Sequence, residues 1–313
     1  HKDEYGKKVF YGWFDNHLCY ISSFDTFASK ILNRNGNQLW NESKVYHFIG
    51  KDIVYHHYLF LPAIRFGINK KYKLPDNILT RGHLLFQNKK LSKSKNWYIG
   101  LEQFIREFDP DYLRFYFASI VPFSQVDINF DWDNFYEKIN NELISKIGNF
   151  INRTLSFTQK QFKVVVPLPD DKLIEEMDEQ AIKEVKQVPI DVGNLIYSND
   201  IDKAIKKIMQ FGDFLNQYFQ YKQPWKSKHN SQNTIWVSVN ATRCLAIMLY
   251  PFIPASAQKI WNQLGYKDNI EDVDFYSATE FVINGGHTIS DNIQPIFKRL
   301  EREEIEKQKN SLL

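Results

Sequence analysis

The chain has 313 residues, room for about two domains, with 43% hydrophobic and 25% charged residues, an ordinary globular balance. A net charge of +3 points to no overall partner, and does not exclude a nucleic-acid partner met by lysines gathered on one face. No apolar run approaches the ~20 residues that span a bilayer, and Pro251 and Pro254 break the longest, "CLAIMLYPFIP", so no membrane partner is expected.

Cys19 and Cys244 form no CxxC pair, so neither a zinc site nor a disulfide framework is readable, and no metal ligand is expected. A reducing, cytoplasmic setting is the simplest. The opening "HKDEYGKK" lacks a Met and reads as the middle of a longer polypeptide.

In chain order, "KKVFYGWF" (7–14) and "KVYHFIG" (44–50) are short β-branched and aromatic runs of strand type. Each precedes a helix-like stretch, "CYISSFDTFASKIL" and "IVYHHYLFLPAIRFG". A third strand is predicted at 78–87, ending at the lysine run "KKLSKSKNW" (89–97). Strand–helix–strand alternation predicts a parallel α/β sheet, whose ligands sit beyond the carboxyl ends of the strands. Asp15, Gly50–Asp52 and the lysine run are expected there. Three strands are too few for a complete doubly wound sheet, so an N-terminal half is expected on the same or a separate polypeptide.

After Glu107 the period becomes helical. The stretches 110–120, 134–157, 202–220, 234–250 and 255–265 carry apolar residues at three- and four-residue steps, the stripes of a helical bundle. Residues 158–190, charged and punctuated by Pro, are expected to join two helices and to hold a charged helix. The tail "REEIEKQKNSLL" reads as a solvated helix or frayed end. The fold class is therefore α/β followed by all-α.

Three stretches carry a family resemblance: "VFYGWFDNHLCYISS", "YHFIGKDIVYHHYLFLPAI" and "RGHLLFQNKKLSKSKNW". With "FDPDYLRFYFASI", "DINFDWDNFYEKINNELISKIGNFINR", "QPWK" and "LYPFIPASAQKIWNQLG", their order and spacing resemble those of methionyl-tRNA synthetases, with the later stretches similar to the archaeal and eukaryotic branch. The resemblance implies the second half of a Rossmann-type class I synthetase catalytic domain over 1–106. It further implies a stem-contact junction over 107–133 and an α-helical anticodon-binding bundle over 134–313. It implies ATP (with Mg2+), methionine and tRNA(Met) as partners.

In such an enzyme a carboxylate attacks the α-phosphate of ATP, and charge builds on the phosphate oxygens. Ammonium groups on a mobile loop that meet this charge as it develops lower the barrier. "KLSKS" resembles the family's KMSKS loop, which makes Lys93 and Lys90 the catalytic, phosphate-side cations and Ser92 and Ser94 hydrogen-bonding partners. "HFIGKD" resembles the strand end that meets the ATP ribose, through Gly50 and the Asp52 carboxylate; Asp52 is alternatively a helix cap. Leu84 matches an adenine-pocket position, with core packing the other reading.

Trp13, Asp15, Tyr20, Ile53 and His57 fall on the methionine side, where aromatic walls suit a thioether. His57 is alternatively a buried histidine bonded to Tyr20 or backbone. The family reads W-x-D-A-P-I-G-Y where this chain has "WFDNHLCY", so Asn16, His17 and Cys19 depart from the pattern. The family's H-x-G-H motif is missing, so the chain alone is expected not to form methionyl-adenylate.

In the bundle, Trp225 of "QPWK" matches an anticodon-stacking tryptophan, with Lys222 and Lys226 beside it for phosphates and Asn141 and Lys146 on the facing helix. A core position is the alternative for Trp225, whereas Trp132 and Trp236 read as core or junction. A non-catalytic, synthetase-derived tRNA-binding module and a class I synthetase for another apolar amino acid are the competing readings.

Overall fold

The computed structural model describes residues 11–68, 72–95, 97–226 and 231–310, excepting the Asp15 side chain. They fall into two compact units, residues 1–83 with 123–128, and residues 84–122 with 129–313.

The first unit opens with α1 (Trp13–Asn16) and α2 (Cys19–Lys30). Residues 7–10 of the strand predicted over 7–14 lie outside the described residues, and its second half runs into α1 instead of forming a strand. Next, α3 (Gly36–Glu42) begins where the Asn35 side chain accepts from Gln38 N at 2.9 Å, satisfying a donor that the first turn leaves unpaired. Strand β1 (Tyr46–Gly50) leads through a 3₁₀ turn (Lys51–Ile53) and a π turn (His56–Phe60) into α4 (Leu61–Gly67). The chain returns as β2 (Asn77–Arg81), which runs parallel to β1 from Tyr46↔Asn77 to Gly50↔Arg81. The predicted parallel pairing is therefore present.

The strand predicted over 78–87 is in fact two. It breaks at Gly82–His83, and the second part, β3 (Leu84–Phe86), belongs to a different sheet with β4 (Lys89–Lys90) and β5 (Ile128–Phe130), in the order β4–β3–β5. The cause is steric. The chain at Val126 passes so close to Gly82 that any side chain there would run into the Val126 carbonyl. Asp127 Oδ1 then takes the His83 N–H at 2.8 Å and turns the strand aside.

The second unit continues with α5 (Leu101–Glu107) and α6 (Pro110–Ile120), the latter capped by Asp109 with Pro110 at its first position. After β5, Asp131 caps a long helix made of α7 (Trp132–Glu137), a π-helical stretch (Lys138–Gly148) and α8 (Asn149–Phe162). The bundle is completed by α9 (Glu176–Tyr197), α10 (Ile201–Lys222), α11 (Gln232–Leu249) and α12 (Pro254–Gln263). Helix α9 is the charged helix expected within 158–190, extended beyond it. Helix α11 is buried nearly all round, as a central helix must be. Trp132 is 1% exposed in the core, and the half-buried Trp236 donates Nε1–H to Ile283 O at 2.8 Å.

The tail departs from expectation. α13 (Arg302–Asn310) is docked rather than frayed: Ile305 is fully buried, Lys309 bonds Asp133 at 2.7 Å, and Lys307 reaches Glu107 at 3.2 Å. The segment before it is held by the buried Asn140, which donates to Leu300 O and accepts from Leu300 N, both at 3.0 Å. Asn140→Ala strands two backbone groups, each costing about 1–3 kcal/mol when buried without a partner. The expected loss is about 2–4 kcal/mol in a denaturant titration; a loss within error rules out this clamp.

Candidate functional site

In the second unit, β3 and β4 form a hairpin with Leu85 opposite Lys90 and Phe86 opposite Lys89. The turn that follows β4 is closed by two backbone bonds between Ser92 and Trp97, at 2.9 and 3.0 Å. Trp97 is in turn held by its Nε1–H on Phe86 O at 3.0 Å, and Lys89 Nζ lies 4.7 Å from its ring centroid. The closure leaves Lys93, Ser94 and Lys95 on a short exposed 3₁₀ turn, with Ser92 Oγ and Ser94 Oγ 3.2 Å apart. Among the described residues no carboxylate pairs with Lys90 or Lys93, both exposed. Hydrated ammonium groups on a tethered turn are suited to meeting phosphate oxygens. Leu84 sits inside, half-buried against the bundle core, where it lines an apolar hollow with Leu91, Phe86 and Phe130. Packing accounts for Leu84 as it stands.

In the first unit, Gly50 ends β1 and Asp52 is the middle residue of the 3₁₀ turn. No side chain caps that turn, and the exposed Asp52 carboxylate faces His83 Nε2 at 3.4 Å. Tyr20, Ile53 and His57 come together: Tyr20 Oη is 3.0 Å from His57 Nε2, and His57 Nδ1 is 3.0 Å from Ile53 O. His57 is fully buried, so both partners of the alternative reading are present. Trp13 meets His56 and His17, with ring centroids at 4.4 and 5.8 Å, rather than closing directly on His57. The Asp15 side chain lies outside the described residues.

Sequence reasoning marked His17 and His57 but missed His47 and His56, and the gathering of all four. His17, the departure from the family pattern, is buried 5.4 Å from His57, and neither of its ring nitrogens has a hydrogen-bond partner among the described residues. His47 packs tilted against Tyr20, with ring centroids 4.5 Å apart. Burial, with charge from His57, holds both imidazoles below the usual histidine range, His47 at about 4. The advance signals were the departure from the family pattern at His17 and the number of histidines in this short span.

In the bundle, Trp225 stands 49% exposed just past α10, and the left-handed Gln223 (φ 43°) turns the chain outward before it. The core reading of Trp225 therefore fails. Its ring lies 6.4 Å from Phe219, and the Arg153 guanidinium sits 4.8 Å from the Phe219 ring and 5.8 Å from Trp225. Arg153 was also missed, although "INR" is in plain view on α8. It lines an open hollow of about 750 Å³ with Asn141, Lys146, Asn216 and Gln220. Lys146 is not free there: its ammonium pairs with Asp213 at 2.7 Å. Lys222 is not beside Trp225 for phosphates either. It is sunk between Asp178 and Glu175, each at 2.8 Å. Burial alone would lower its pKa, but the bonds to Asp178 and Glu175 outweigh that and raise it. Lys226 remains exposed.

Residues 3–155 match the family described as tRNA synthetases class I (M), and residues 178–308 match the anticodon-binding domain of tRNA ligases. The chain belongs to the methionyl-tRNA synthetase family. The methionine–tRNA ligase of Methanopyrus kandleri is 34% identical over 97% of this chain and 45% of its own length. That of Nanoarchaeum equitans is 37% identical over 82% of this chain and 34% of its own length. The chain thus spans less than half of these two relatives. A solved structure, Mycobacterium tuberculosis methionyl-tRNA synthetase in complex with methionyl-adenylate, has a TM-score of 0.82 at 23% identity, over 95% of this chain and 57% of that one. At that identity the likeness establishes the fold. Among the described residues no helix is long and apolar enough to cross a membrane.

Proposed function

We propose that this chain is the C-terminal half of a methionine–tRNA ligase, supplying the phosphate-side lysine loop, part of the methionine pocket and the tRNA-reading bundle. The observation that carries the reading is the hairpin that presents Lys90 and Lys93 without carboxylate partners among the described residues. In the whole protein these ammonium groups neutralise the charge that develops on the ATP phosphates as the methionine carboxylate attacks and pyrophosphate leaves. Ser92 and Ser94 hold the turn and are placed to bond phosphate oxygens. Gly50 allows close backbone approach, and the Asp52 carboxylate accepts from ribose hydroxyls. Trp13, Tyr20, Ile53 and His57 supply aromatic and apolar walls for the thioether, with the Tyr20–His57–Ile53 chain fixing the imidazole. An exposed, unengaged lysine turn weighs against a non-catalytic module, which has no use for one.

The bundle reads the anticodon of tRNA(Met). A half-exposed ring backed by Phe219 and Arg153 is a platform for a splayed base, and Asn141 faces the hollow with amides able to read base edges. Base–aromatic stacking contributes about 1–3 kcal/mol, so Trp225→Ala is expected to weaken tRNA(Met) binding roughly ten-fold while leaving methionine-dependent ATP–pyrophosphate exchange by the whole protein unchanged. Equal tRNA affinity for the variant and the parent, in a filter-binding titration at fixed salt, sinks the assignment.

A further inference from the structure

The hollow bordered by Arg153 does not end on that side of the helix. A second one, of about 310 Å³, shares Ser145 and Asn149 with it and runs on past Asn152 to Arg299. Together they form a trough across the long helix, from α10 to the segment ahead of α13. Charge along it is one-sided. Among the described residues lining the two hollows, the single carboxylate is Asp213, already neutralised by Lys146 at 2.7 Å. Arg299 is exposed at the far end and pairs with no carboxylate among the described residues. Asn149, Asn152 and Asn216 supply amides that both donate and accept. The next hollow, which shares Pro295–Phe297 with the second, is of mixed charge: Glu107, Asp109 and Glu304 line it with Lys259 and Lys298, and Lys259 and Lys298 are already paired with Asp109 and Glu304. The run of amides and guanidinium groups therefore ends at Arg299.

We infer that this trough is a second RNA-contact surface, along which the sugar–phosphate backbone flanking the stacked base runs from Arg153 past Asn149 and Asn152 to a phosphate held by Arg299. The inference rests on the tRNA-reading role of the bundle. Charge complementarity selects the occupant: guanidinium groups at both ends, amides between, and along the lining a single carboxylate, Asp213, already paired with Lys146. Phosphate contacts fix position without reading sequence, which suits a surface of amides and guanidinium groups.

The test uses the full-length protein, a stem–loop RNA bearing the methionine anticodon, and the same loop sequence as an open strand. Arg299→Ala is expected to lower stem–loop affinity roughly three- to ten-fold and to flatten the plot of log affinity against log salt by about 0.7–0.9, the loss of one phosphate contact. Arg299→Lys restores the slope, and binding of the open strand changes little. Thermal melting of the variants is expected to match the parent, since Arg299 is exposed. Unchanged affinity and slope in Arg299→Ala overturn the trough even if Trp225→Ala weakens binding, and the stacking role then stands alone. Weakening by Arg299→Ala with none from Trp225→Ala supports the trough and removes the stacking role. Failure of the parent protein to bind the stem–loop overturns both.

Discussion

In the full-length protein, Lys93→Ala is expected to cut methionine-dependent ATP–pyrophosphate exchange by roughly 10²–10³, the usual effect of removing one donor aimed at transition-state charge. The size follows from where the ammonium sits. Lys93 is exposed on a turn tied by two backbone bonds between Ser92 and Trp97 and is not spent on a structural ion pair among the described residues. Its charge is therefore available when the phosphate oxygens gain theirs. The effect should appear in kcat more than in the KM for ATP, because the interaction strengthens as charge develops. Affinity for tRNA and thermal midpoint should stay at parental values, since the side chain is exposed on the turn. Exchange within two-fold of the parent would exclude a catalytic role for Lys93. Lys93→Arg keeps the charge but changes the donor geometry, and should fall between the two.

Asp178→Ala is expected to destabilise the second unit by about 3–5 kcal/mol, the range for breaking a buried ion pair and leaving one charge behind. Asp178 is fully buried at the start of α9 and serves three partners. It accepts from Tyr218 Oη at 2.6 Å and from Lys222 Nζ at 2.8 Å, and closes a capping box by accepting from Glu175 N at 3.0 Å. Burial, with the Asp178 charge beside it, pushes the Tyr218 hydroxyl well above the usual tyrosine range, so it donates as a neutral phenol. Removing the carboxylate leaves the Lys222 side chain, 4% exposed, with only the surface carboxylate of Glu175. Chemical denaturation reads the loss directly. The double change Asp178→Ala with Lys222→Met should recover much of it, because no unpaired charge then remains. A single-variant loss below about 1 kcal/mol would mean that the pair contributes little.

Much of this was legible because it is local. The lysine turn, "QPWK", the helical stripes and the strand runs of β1 and β2 are each written in a short stretch of neighbouring residues. What stayed hidden depends on partners far along the chain. Nothing near Lys222 announces Asp178, and nothing near Lys146 announces Asp213; both lysines read as RNA contacts until their carboxylates are seen. The break in the strand at Gly82 needs the passage of Val126, and the docking of the charged tail needs Asp133 and Glu107. His17 could be marked as unusual from the motif, but its burial beside His57 follows only from packing.

The π-helical stretch Lys138–Gly148 decides which residues can share a surface. Its five-residue bonding gives about 4.4 residues per turn, or roughly 80° per residue, against 100° in an α-helix. Counting from Asn141 through Gly148 at the slower rate, and on to Arg153 at the ordinary one, brings Asn141 and Arg153 back to almost the same azimuth by this rough count. A uniform α-helix would set them about 120° apart. The widened turns thus act as a gear between two periodicities, gathering Asn141, Ser145, Lys146, Asn149 and Arg153 onto one hollow. Shortening that stretch by one residue, with every side chain otherwise kept, would be enough to take the wall of the hollow apart.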